Sequence, residues 1–141
     1  MFNKILVPID VSQSDSGAAG LKAAAELAGK TGANLILLSV TGDVHNLVAN
    51  QLPTDYVESA QSGARKELEK LASGHGLASG DYEVQTLHGQ IYHEILSAAK
   101  NSGCDLIVVS SNQPDFSDYL LGSTAAKIVR HAHCSVLVVR S

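Results

Sequence analysis

Short apolar runs alternate with helical stretches along the whole chain, and this alternation constrains the fold more than any other feature. Residues 4–9 (KILVPI), 34–40 (NLILLSV), 82–88 (YEVQTLH), 105–110 (DLIVVS) and 135–140 (SVLVVR) have the length and the Val, Ile and Leu content of strands. Residues 15–30, 55–74, 90–101 and 123–131 carry apolar side chains at helical spacing. The first helix places Ala18, Leu21, Ala25 and Ala28 on one face and ends at Gly32. The second uses Val57, Ala60, Ala64, Leu68 and Leu71, and the third Ile91, Ile95, Leu96 and Ala99. Residues 41–54, with Gly42, Asn46, Asn50 and Pro53, read as a loop or a loosely helical insertion, and 111–119 as a polar loop.

Strands joined through helices of this length require right-handed crossovers, so the sheet is expected to be parallel with helices on both faces. The predicted fold is α/β, a doubly wound five-stranded sheet forming a single domain over residues 1–141. Strands buried on both faces read as continuous apolar runs, as the first, second and fourth do. The third alternates and reads as an edge. The order 3-2-1-4-5 satisfies both conditions. It leaves the fifth strand at the other edge, although Val136, Leu137, Val138 and Val139 are all apolar. Either helices and the C-terminal tail cover that edge, or two chains join along it.

Composition narrows the functional classes. The net charge of −4 argues against nucleic acid, which demands a basic footprint. No apolar run approaches the ~20 residues that span a bilayer, and the start lacks a signal-peptide pattern, so a cytoplasmic protein without a membrane partner is expected. Cys104 and Cys134 have no metal-type spacing, and no metal site is predicted.

In open α/β sheets, ligands bind at the carboxyl ends of strands where the winding reverses, here between strands 1 and 4. Strand 1 brings Pro8, Ile9 and Asp10 there. Strand 2 ends nearby at Val40, and strand 4 brings Ser110, Ser111, Asn112 and Gln113. The fourth helix opens with Gly122, Ser123 and Thr124, whose amides and hydroxyls suit a phosphate. The same tripeptide also serves as an ordinary helix start, and Asp10 as an ordinary cap in the DVSQSD loop.

The chain resembles the universal stress protein family over essentially its full length. The resemblance rests on the opening KILVPID, on LLSV ending strand 2, on residues 89–95 (GQIYHEI), and above all on DLIVVSSNQPDFSDYLLGSTAAKIVRHAHCSVLVVR, which is most similar to the F/G-type branch. It implies ATP, or ADP or AMP in its place, with or without Mg2+, at the switch point. Adenine would lie near Val40 with backbone contacts at Pro8 and Ile9. Asp10 would face the ribose or phosphates, and Gly122, Ser123 and Thr124 would hold phosphates. It also implies a homodimer built on strand 5. ATP-binding members carry Gly-x2-Gly-x9-Gly-Ser/Thr. Depending on the alignment, the first two glycines fall on Val109 and Asn112 or on Ser110 and Gln113, so both are replaced here.

Catalysis finds little support, and no catalytic residue is assigned. There is no Gly-x-Ser-x-Gly elbow and no phosphate-loop lysine. None of the six histidines has zinc spacing. His131 and His133 suit a helix C-terminus, whereas His88 and His93 flank the turn into helix 3 and suit either the surface or a proton-sensitive ligand contact. The two cysteines stand in matching contexts, CDLIVV and CSVLVV, as small core residues or as a redox pair. The expected function is a nucleotide-binding stress sensor in which the nucleotide orders residues 111–121 and so alters a surface for a protein partner. A protein-interaction module with a vestigial pocket and a slow ATPase are the alternatives.

Overall fold

The protein is seen as a computed structural model that describes residues 1–42, 55–111 and 122–140. The strands are β1 (Lys4–Pro8), β2 (Asn34–Gly42), β3 (Tyr82–Gly89), β4 (Leu106–Ser111) and β5 (Ser135–Arg140). The helices are α1 (Ser14–Thr31), α2 (Tyr56–Gly74), α3 (Ile91–Asn101) and α4 (Ser123–His131), with a 3-10 turn over Val11–Gln13. The sheet is parallel in the order β3-β2-β1-β4-β5, as the apolar pattern predicts.

Side chains alternate across a strand, so each inner strand feeds two cores. Ile5, Val7, Leu35, Leu37, Leu106 and Val108 pack under α1 and α2, against Leu21, Ala24 and Leu68. Leu6, Ile36, Leu38, Ile107 and Val109 pack under α3 and α4, against Ile95, Ala99 and Ile128. Two expected helix faces are displaced. On α1 the buried stripe runs through Gly17, Gly20, Leu21 and Ala24, whereas Ala25 is only half-buried. The glycines carry α1 close to β4: a Cβ at Gly20 would stand 2.6 Å from the Ser110 Oγ. On α3 the core is Ile95, Ala98 and Ala99, whereas Ile91 is 44% exposed.

The expected strand 1 extends to Ile9, but β1 ends at Pro8. β1 pairs with β2 along its whole length, from Lys4↔Asn34 to Pro8↔Leu38. With β4 it pairs only at Ile5↔Leu106 and Leu6↔Ile107. The Ile9 amide donates to the Leu38 carbonyl at 2.8 Å, so odd-numbered residues of β1 turn their amides toward β2. Position 8 therefore faces β4, and proline has no N–H to donate there. The β1–β4 ladder stops where Pro8 would have to continue it, and a crevice opens.

At the other end of the same pair the strands are tied. The Asp105 carboxylate accepts from the Asn3 amide at 2.8 and 3.1 Å and from the Lys4 amide at 3.1 Å. These bonds, the Asn3 amide foremost, hold the Asp105 carboxyl below its usual range. Cys104 is buried and Cys134 half-buried beside this edge, both as free thiols. Burial pushes the Cys104 thiol up to about 11 and raises that of Cys134 as well, so neither is a ready thiolate. This favours small core residues over a redox pair.

Because the folded-state pKa of Asp105 is depressed, the stability it contributes is present above its unfolded value and is lost as pH falls through the folded one. Asp105→Ala is expected to cost about 1 kcal/mol at pH 7, and the cost should vanish in acid. Urea unfolding at pH 7 and pH 2.5 checks this; an equal cost at both values would contradict it.

Candidate functional site

The crevice between the carboxyl ends of β1 and β4 widens into a cavity of about 600 Å³. This lies within the ~300–1,000 Å³ common for small-molecule sites. Each wall comes from a different element. Pro8, Ile9 and Asp10 form one side where β1 gives way to the 3-10 turn, and Ser12 and Gly17 continue it. Leu38 to Gly42 at the end of β2 form the floor toward β3. Ala60 and Ala64 of α2 and Ile91 and Ile95 of α3 close the flanks, and Val109 and Ser110 of β4 stand opposite β1. Gly122, Ser123, Thr124 and Ala125 bring the start of α4 to the same space.

The start of α4 is unusual in what it lacks. Gly122 is the N-cap at φ 84° and ψ 148°, a backbone open to glycine and strained for other residues. Its carbonyl accepts from the Ala126 amide at 3.0 Å, which starts the helix, and as a glycine it has no side chain to cap the first turn. No acidic residue lies there either. The tripeptide thus does serve as a helix start, with Gly122 as the cap. The first-turn amides lie at the positive end of the helix dipole, beside the cavity.

Asp10 does act as a local cap. Its Oδ1 accepts from the Ser12 amide at 3.0 Å and from the Ser12 hydroxyl at 2.6 Å. This fixes the carboxylate on the cavity wall, exposed, while no described residue hydrogen-bonds to Oδ2. Ser110 also lines the cavity, but its Oγ accepts from the Gly20 amide at 2.9 Å and so pins α1 to β4.

The structure thus gathers Pro8, Ile9, Asp10, Val40, Ser110, Gly122, Ser123 and Thr124 around one space. Ser111 is not among the lining residues: it is 6% exposed at the end of β4, on the α3/α4 side with Ile107 and Val109. The expected residues Asn112 and Gln113 lie outside the described residues. Sequence reasoning missed the α2 and α3 walls, although small Ala60 and Ala64 and the first-turn Ile91 are the signal that could have found them. It also missed Ser39 and Thr41, because hydroxyls beside strand ends are common in loops of every kind.

His88 and His93 are exposed and outside the cavity lining, and His131 lies in the last turn of α4 with Arg130. Among the described residues no group of three or more His, Cys, Asp and Glu side chains could hold a metal ion, and no helix is long and apolar enough to cross a membrane.

β5 is an edge strand. Val136 and Val138 pack toward α3 and α4, and Val139 toward α1 and α2. Helices therefore cover its faces, yet Leu137 remains 37% exposed and Val129 of α4 46%.

Comparison with known proteins agrees with this geometry. Universal stress protein G of Shigella flexneri is 29% identical over 99% of this chain and 100% of its own length. The solved universal stress protein UspA of Lactobacillus plantarum superposes with a TM-score of 0.80 at 25% identity, covering 98% of this chain and 97% of that one. A solved universal stress protein in complex with cAMP superposes with a TM-score of 0.72 at 21% identity, over 98% of this chain and 97% of that one. The profile of the universal stress protein family matches residues 1–140. The fold thus belongs to a known scaffold, and the chain is a member of the universal stress protein family, with a relative named for the G type.

Proposed function

We infer that this protein is a regulatory module that binds an adenine nucleotide in the β1–β4 cavity. The first turn of α4, opened by Gly122 beside the cavity, carries the reading. Its amides, with the Ser123 and Thr124 hydroxyls, offer donors to one phosphate, and Gly122 admits close approach. The floor at Val40 and the flanks at Ala60, Ala64 and Ile91 are apolar and suit a purine. Asp10 suits a ribose hydroxyl, because a carboxylate is an acceptor only. The complex of a family member with cAMP supports an adenine ligand. ATP, ADP, AMP and cAMP all belong to this class.

The replaced loop glycines bear on the phosphate end. One alignment sets the first glycine at Ser110, where the hydroxyl serves α1 and its loss would free the helix. The other sets it at Val109, which is buried in the core. In both, the position has been taken over by packing, and phosphate binding is left to the start of α4. No lysine or arginine lines the cavity among the described residues, so phosphoryl transfer lacks the cationic support it needs. We therefore read the protein as a binder, acting in the cytoplasm through a protein partner, and not as an ATPase. The edge position of β5 and exposed Leu137 support a homodimer along that strand.

Equilibrium dialysis with ATP, AMP and cAMP should show retention at millimolar concentration or below, and failure of all three would end the reading. Gly122→Val should weaken retention by about tenfold, since a β-branched residue cannot hold the φ seen there without strain of about 1–3 kcal/mol. Unchanged binding in that variant would remove α4 from the site. Sedimentation equilibrium should show a dimer that Leu137→Asp converts to a folded monomer; a monomer at every concentration in the parent chain would refute the β5 interface.

A further inference from the structure

The distribution of charge along the chain adds a selectivity that cavity size does not. The chain has ten lysines and arginines, and none falls within residues 5–21, 31–64, 71–99 or 101–126. These four stretches supply every described residue lining the cavity except Ile128. Arg65 and Lys66 follow the lining residue Ala64 but are exposed and do not line the cavity, and several other cations stand toward the opposite end of the sheet. Lys4 begins β1, Lys30 lies in the last turn of α1, and Lys100 in the last turn of α3. Lys127 is engaged elsewhere, 4.8 Å above the Tyr92 ring. At the carboxyl end of the strands, Arg140 stands opposite Ser111 and His88 opposite Thr41, and neither lines the cavity. The fixed charge among the described lining residues is a negative one, Asp10.

The cavity therefore offers a phosphate the positive end of α4, worth roughly half a unit charge, with the Asp10 carboxylate lining the same space. A phosphomonoester carries roughly −1.5 to −2 and a cyclic diester less, which a helix terminus and hydroxyls can hold. Each further phosphate adds charge that no described lining side chain offsets, in a partly open cavity where repulsion is stronger than in bulk water. Building on the adenine-nucleotide reading above, we propose that this site selects by charge. It binds a nucleoside monophosphate or cyclic monophosphate unaided, and a nucleoside triphosphate only together with a divalent cation.

The test is calorimetric titration of the full chain with cAMP, AMP and ATP at fixed ionic strength, in chelator and in excess Mg2+. In chelator, ATP should bind at least about tenfold more weakly than AMP. Mg2+ should close that gap to within about threefold and leave cAMP and AMP unchanged. Asp10→Asn, which keeps the cap to Ser12 while removing the charge, should narrow the gap in chelator. ATP binding as tightly as AMP in chelator would overturn charge selection while leaving the adenine site standing. Binding by none of the three would overturn both.

Discussion

The missing hydrogen bond at Pro8 is the constraint on which the rest of the molecule turns. β1 is the central strand and must be paired on both sides to be buried, as Ile5, Leu6 and Val7 are. A proline facing β4 keeps the first half of that ladder and abolishes the second. The winding of the sheet reverses at this point, so helices leave from β1 and β4 to opposite faces and nothing fills the gap between them. The cavity follows from sequence and topology together; neither alone would open it.

Stability and function occupy opposite ends of the same strands. At the amino end, Asp105 ties β4 to the Asn3 and Lys4 amides, and the two cores close above it. At the carboxyl end α4 opens beside the cavity. α4 starts on a glycine N-cap, which costs a helix only about a few tenths of a kcal/mol relative to a side-chain cap. A ligand anion is the group that would recover that cost, so binding and helix stability are coupled there. Ser110, at the carboxyl end of β4, serves both packing and cavity: it lines the cavity and its hydroxyl holds α1 at Gly20.

The architecture was legible in the sequence because parallel inner strands are apolar on both faces and crossover helices are periodic. The edge assignment of β3 followed from its alternation, and the sheet order from both. The site was legible where it rests on topology, at Pro8, Asp10, Val40 and Gly122 to Thr124. It was not legible where packing decides. The α1 face turned by about one residue because Gly17 and Gly20, invisible to an apolar count, are its closest approach to the sheet. Ile91 reads as core by spacing, yet α3 begins at the cavity and leaves this first residue on its wall. Ser110 and Ser111 read alike, but one faces α1 while the other is buried on the α3/α4 side, since neighbouring residues of a strand point to opposite faces.

The most direct test of the account is to map backbone amide shifts by NMR as AMP is added. The account predicts that the largest changes fall on Ser123, Thr124 and Val40, with β5 and the Asp105 edge unmoved. Changes confined to β5 or to the amino end of the sheet, with the start of α4 silent, would contradict it.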